Sequence, residues 1–394
     1  MDDNHIPIGN PDQTSQPLNT IYFYLTEGCN LACRHCWIAP KFQAGGKVYP
    51  SLAFDLFCDI IRQAKPLGLT GVKLTGGEPL LHPQIQRILE FLRAEDLRLT
   101  VESNGVLCTP ALAAEIRRGK NAFISVSLDG ADAATHEWVR GVKGSFNEAL
   151  TGVRNLAAVG LRPQIIMSIM RHNHHQLEAV VRLAESLGAE SVKFNLVQPT
   201  ARGEQMHAAG ETLNIEELVE LGRWVETELA ATARIRLVYS HPPAFRPLSR
   251  LVFSKDDGCG LCGIFGILGV LASGTYALCG IGETVPELVF GDAAQDRLET
   301  IWRQNPILKE IRAGLPTRLE GVCARCVHRN YCLGYCVAQN YSRTRNLFAP
   351  EWYCAEVKAK GLFPETRLIP GSSWRKPVAE NLTSDLMVSA SSNS

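Results

Sequence analysis

An α/β fold, with six βα units curved into a partial barrel and a small cysteine-rich region after it, is what this chain predicts on three observations. Strand-like and helix-like segments alternate from residue 20 onward, the order that builds a parallel sheet covered by helices. Eight of the thirteen cysteines fall between residues 254 and 362, where the periodicity fades. Three others crowd the loop that follows the first strand.

The elements follow in order. Residues 1–19 carry Pro7, Pro11 and Pro17 among polar side chains and are expected to form a flexible lead-in. Strands are expected at 21–25, 71–75, 97–102, 122–127, 163–169 and 191–196, and helices between them at 51–64, 84–93, 110–118, 146–158 and 175–187. In the first helix Leu52, Leu56, Phe57, Ile60 and Ile61 make one apolar stripe. Functional groups of such a barrel gather at the C-terminal ends of its strands. The barrel is expected over 20–235, with a last helix at 215–230 and a linking segment at 236–253. Residues 254–362 are short segments rich in glycine and cysteine, expected to be organised by metal rather than by an apolar core. The tail, 363–394, ends in a polar, serine-rich run and is expected to be disordered.

Composition narrows the function. Forty basic residues balance forty acidic ones, so no bulk positive field points to nucleic acid. No run of about 18 apolar residues predicts a membrane span. The start, Met1-Asp2-Asp3-Asn4-His5, lacks the basic and apolar regions of a secretory signal. The expected compartment is the cytoplasm, where disulfides are disfavoured and clustered thiols read as metal ligands.

The first cluster is Cys29, Cys33 and Cys36, spaced C-x3-C-x2-C at the mouth of the first strand. Three thiolates on one loop suit an iron-sulfur cubane with one iron left open. A zinc loop is the alternative, but structural zinc takes four ligands and no fourth is evident nearby. Thr75-Gly76-Gly77-Glu78-Pro79 follows the second strand, Ser103-Asn104-Gly105 the third, and Ser127-Leu128-Asp129-Gly130 the fourth.

This constellation resembles the radical S-adenosylmethionine (SAM) superfamily, with His35 in the usually aromatic place before the third cysteine. The resemblance implies a partial (β/α)6 TIM-like barrel and a 4Fe-4S cluster whose open iron chelates the amino and carboxylate groups of SAM. One-electron reduction then yields a 5′-deoxyadenosyl radical that takes hydrogen from substrate, and the cofactor carries the hard chemistry. It further implies that Gly76, Gly77 and Glu78 meet the SAM amine, with Glu78 as the anion. Ser103 and Asn104 would lie at the ribose, Ser127 against SAM, Arg140 with its carboxylate and Leu196 on the adenine. A flavodoxin or ferredoxin would be the electron donor.

The later cysteines are Cys259, Cys262, Cys279, Cys323, Cys326, Cys332, Cys336 and Cys354. From Cys323 they read C-x2-C-x5-C-x3-C, and Gly274 stands five residues before Cys279. This resembles the SPASM extension of radical SAM enzymes that modify peptides and proteins. By that resemblance Cys259, Cys262, Cys279 and Cys336 hold one auxiliary 4Fe-4S cluster. Cys323, Cys326, Cys332 and Cys354 hold another. Zinc knuckles are the alternative. Cys58 and Cys108 read as small core residues.

The reaction implied is oxidative modification of a ribosomally made peptide or protein, as a thioether, a carbon-carbon crosslink or a side-chain oxidation. A sulfatase-maturase-like formylglycine-forming enzyme, an enzyme acting on a small-molecule cofactor precursor and a non-catalytic scaffold are the other readings. Sulfatase-maturing relatives usually carry an aspartate just after the cysteine matching Cys279. Here Gly280 stands in that place, with Glu283 nearby in sequence, and no catalytic residue is assigned. Only 28 residues precede Cys29, which leaves no room for the winged-helix peptide-recognition domain of some relatives. Capture of a peptide is therefore expected from a separate protein, the barrel rim or the SPASM surface.

Overall fold

The computed structural model describes residues 16–253 and 261–370. Cys259 and the distal tail lie outside the described residues. Seven parallel strands form the barrel wall: β1 (Thr20–Tyr24), β2 (Gly71–Thr75), β3 (Arg98–Ser103), β4 (Lys120–Ser127), β5 (Gln164–Ile169), β6 (Ser191–Leu196) and β7 (Arg236–Tyr239). They lie in sequence order, each hydrogen-bonded to the next. Helices α1 (Phe54–Ala64), α2 (Ile85–Ala94) and α3 (Pro110–Arg117) cover the outer face, with α4 (Ala133–Arg140), α5 (Ser145–Ala158) and α6 (Leu177–Ser186). Each is long enough to return the chain for the next parallel strand. Among the described residues, no helix is long and apolar enough to cross a membrane.

Four expectations change. Residues 236–253, read as a linking segment, begin with β7, which pairs in parallel with β6. Four residues of Arg-Leu-Val-Tyr are too short for a periodic signal, and only the open edge of β6 makes them a strand. The cysteine-rich region is not held by metal alone. Its strands β8 (Ile267–Val270), β9 (Thr275–Ala277) and β10 (Val289–Asp292) join the same sheet, β8 lying parallel to β1. Leu268, Val270, Tyr276, Leu278 and Trp302 enter the main apolar core. Strands buried on both faces show no alternation, so periodicity could not reveal them. Residues 363–370, assigned to the tail, pack through Phe363 and Leu368 and form a bridge between Leu368 and Cys326. At the other end Leu18, within the expected lead-in, is buried.

The helix at 215–230 also divides. Ile215–Trp224 is α-helical under a capping box from Asn214 and Glu217, and Val225–Leu229 then widens into a π turn. Helix α4 has no counterpart among the expected helices. Asp132 starts it by accepting from the Thr135 N–H, and Gly141 ends it in the left-handed conformation. That helix carries Arg140.

Candidate iron-sulfur and SAM site

The strand ends meet around the first cysteine loop. Gly77 N–H donates to the Thr26 carbonyl at 3.1 Å, and Glu78 N–H donates to the Gly28 carbonyl at 3.1 Å. A Cβ added at Gly77 would stand 1.9 Å from the Gly28 carbonyl oxygen. The glycine is thus required for the approach of this turn to the cysteine loop, whatever ligand lies beyond.

Cys29 and Cys33 are buried and Cys36 is half-buried. Burial pushes the Cys29 and Cys36 thiols up. Donors nevertheless converge on the sulfurs: Leu31 N–H and the Asn104 amide on Cys29 at 3.4 and 3.9 Å, and Arg140 on Cys33 at 3.4 Å. A buried, thiol-only donor set fed by N–H groups suits a thiolate-ligated iron-sulfur cluster. Among the described residues no three His, Cys, Asp or Glu side chains converge on a point suited to one metal ion. A cubane instead binds its cysteines on separate irons.

Glu78 ties the strand ends together. Its carboxylate accepts from Ser103 Oγ at 2.8 Å, from Leu80 N–H at 3.1 Å and from Asn104 N–H at 2.8 Å. Burial pushes its pKa up to about 7, against those three hydrogen bonds and the pull of Arg140. Asn104 also donates to Asn30 at 2.8 Å. The turn after β2 and the turn after β3 are therefore locked to the loop of Cys29. Ser127 ends β4 half-buried, and Leu196 ends β6 in the core.

Arg140, expected to meet the SAM carboxylate, has other partners in this structure. It ion-pairs with Asp129 at 2.7 Å, with Asp129 fully buried. Burial pushes the Asp129 carboxyl up, but Arg140, His35 and the Ser168 N–H outweigh it and hold it low. Arg140→Met is expected to strand the Asp129 charge and to cost about 3–5 kcal/mol of stability, measurable by denaturant unfolding. A loss below about 1 kcal/mol would show that the pair does not hold the loop.

Three further residues stand close to the thiols, of which Arg202 and Glu351 carry no signal in the sequence pattern and His35 is marked by its place before Cys36. Arg202, after β6, donates to the Cys33 and Pro40 carbonyls at 3.1 and 2.8 Å and clamps the loop. His35 Nδ1 is buried without a partner, and burial beside Arg140 and Arg202 pulls its pKa down to about 4. Glu351 is buried among later cysteines, its pKa raised to about 8 by burial and by Cys323.

The later thiols stand in two neighbourhoods. Cys336 is an electrostatic neighbour of Cys262 and Cys279, and burial raises all three. Cys323, Cys326, Cys332 and Cys354 line one cavity with Leu319, Val322 and Phe363. Between Cys332 and Cys336 the chain turns through positive φ at Leu333, Gly334 and Tyr335, which separates these sequence neighbours. Gly280 faces the Tyr24 ring: a Cβ there would lie 2.3 Å from a ring carbon. No aspartate fits while Tyr24 keeps its place. Glu283 is exposed, with Glu27 and Lys41 as its charged neighbours.

A barrel with a thiol-lined first loop, followed by two thiol neighbourhoods, defines a class of iron-sulfur enzyme. The radical SAM superfamily matches residues 23–184, and the iron-sulfur cluster-binding domain SPASM matches residues 259–327. The chain belongs to the radical SAM enzymes that carry a SPASM domain, with 4Fe-4S clusters and SAM as cofactors.

Its relatives include the AdoMet-dependent heme synthase of Oleidesulfovibrio alaskensis, 27% identical over 85% of this chain and 86% of that one. Mycofactocin maturase MftC of Mycobacterium ulcerans is 27% identical over 84% of this chain and 86% of that one. Among solved structures, Streptococcus suis SuiB bound to S-adenosylmethionine superposes with a TM-score of 0.66 at 17% identity, over 86% of this chain and 77% of that one. The enzyme anSMEcpe with bound AdoMet reaches 0.66 at 15% identity, over 87% and 95%. These two likenesses are of fold.

Proposed function

We propose that this enzyme oxidises a ribosomally made peptide or protein by removing hydrogen from it, with the electron left on the substrate passing to a SPASM cluster. The observation that carries this reading is the place of Cys262 and Cys279. They are electrostatic neighbours of Tyr22 and Lys73 on barrel strands β1 and β2, so an electron acceptor there would stand beside the barrel interior. The likeness to mycofactocin maturase MftC supports a maturation reaction.

Cys29, Cys33 and Cys36 would hold the first cluster, which supplies the electron that cleaves SAM. Cys262, Cys279 and Cys336, with Cys259, would hold one auxiliary cluster; Cys323, Cys326, Cys332 and Cys354 would hold the other. Glu78 would receive the SAM ammonium, while Gly76, Gly77, Ser103, Asn104, Ser127 and Leu196 would line the rest of its site. Arg140 and Arg202 would keep the cysteine loop in register.

Three clusters correspond to about 12 iron atoms per chain. Replacing Cys262 and Cys279 by alanine is expected to leave 5′-deoxyadenosine formation intact and to lower peptide product about tenfold or more. Mass spectrometry of the peptide, beside chromatography of the nucleoside, reads both. Undiminished product in that variant would remove the electron-transfer role. A second reading, oxidation of a small cofactor precursor, is favoured by the 27% identity to the heme synthase. Loss of two hydrogens from a peptide encoded beside this chain decides for the first.

A further inference from the structure

Lys73 is a lysine in the middle of a central parallel strand, a place where an ammonium is costly unless paired. Its Nζ lies 2.8 Å from Glu102 on β3 and 4.3 Å from the centroid of the Tyr22 ring on β1. The row continues across the sheet. Tyr22 pairs in register with Lys73 on one side and with Gly269 of β8 on the other. Residues in register point their side chains to the same face. A Cβ built on Gly269 would stand 2.8 Å from the Cys279 Cα, so Cys279 lies over the end of this row. The pair runs across the sheet, with Glu102 on the β3 side of the ammonium and the Tyr22 ring on the β1 side, toward Gly269 and Cys279.

We propose that Lys73 is a positioning residue for electron transfer, its ammonium held by Glu102 and Tyr22 so as to raise the reduction potential of the cluster bound by Cys262, Cys279 and Cys336. This rests on the assignment of that cluster as the electron acceptor. The physical basis is charge: adding an electron to an anionic cluster is easier beside a fixed cation, and cluster potentials follow net charge and hydrogen bonding. Glu102 orients the ammonium and partly offsets it, and the Tyr22 ring face holds it as a cation–π partner. A plain structural ion pair would also fix β2 to β3, but it would leave the cluster potential unmoved.

The test is a potentiometric titration of the reconstituted full chain, with the auxiliary clusters followed by electron paramagnetic resonance and iron measured in each sample. Lys73→Met is expected to weaken reduction of one auxiliary cluster about tenfold in equilibrium constant, a fall of about 59 mV for one electron. Glu102→Gln is expected to shift the same cluster the opposite way, and Lys73→Arg to keep the native value. An unchanged midpoint in Lys73→Met at full iron content overturns the proposal. If Lys73→Met does not load iron, the sign of the Glu102→Gln shift decides: upward supports it, unchanged or downward overturns it. The titration needs no substrate. A chain that shifts as expected yet oxidises no peptide would overturn the functional reading alone.

Discussion

Replacing Cys29, Cys33 and Cys36 together by alanine is expected to lower 5′-deoxyadenosine formation from SAM by about 10³-fold or more, about 4 kcal/mol of activation free energy. The three thiols share one loop, and Leu31, Asn104 and Arg140 donate toward their sulfurs. Without thiolates that donor set has nothing to hold iron. The fold should survive. The loop is anchored through backbone groups, Ala32 and Arg34 N–H to the Arg140 and Val139 carbonyls, and through the Arg202 clamp. Iron is expected to fall from about 12 to about 8 atoms per chain, because the SPASM cysteines lie elsewhere. An anaerobic assay with SAM and reductant, beside iron analysis, checks both. Persistent nucleoside formation would remove this loop from the chemistry.

The second large effect concerns Glu78, whose pKa is pushed up to about 7 by burial. A raised carboxyl favours the protonated folded form. The stability from that preference is fully present below the ordinary carboxyl pKa and is lost as pH rises through about 7. Binding an ammonium reverses the preference, since a cation nearby favours the carboxylate. SAM affinity is therefore expected to weaken about tenfold for each pH unit below 7, with proton release on binding. Calorimetry in buffers of differing ionisation enthalpy measures this, and Glu78→Gln should flatten the dependence. Glu78→Ala is harsher, because it strands the Ser103 hydroxyl and the Leu80 and Asn104 N–H groups. Each buried unpaired donor costs about 1–3 kcal/mol. A SAM affinity indifferent to pH in the unsubstituted enzyme would exclude Glu78 as the ammonium partner.

Much of the barrel is legible in the sequence. Strands 71–75 and 191–196 stand where expected, because alternating βα units carry both apolar period and turn chemistry. Helix α4 is not legible, since its stripe is short and the carbonyls of Trp138, Val139 and Arg140 accept from Arg34 and Ala32 of the cysteine loop. The last strands of the sheet are hidden for a related reason. Runs such as Ile-Leu-Gly-Val, too brief for a period, become strands only when an existing edge offers hydrogen bonds.

The sequence by itself determined that Cys29, Cys33 and Cys36 share a loop at a strand end, and that Glu78 and Asn104 stand at the next two. Such facts are local, because spacing along a strand and turn fixes where a side chain leaves the sheet. Only the tertiary structure decided which groups meet. It paired Arg140 with Asp129 and laid Gly77 against Gly28. It also set Lys73 and Tyr22 in a row that ends at Cys279. Those contacts join residues far apart in the chain, and their partners are chosen by sheet register and close packing, which no local pattern encodes.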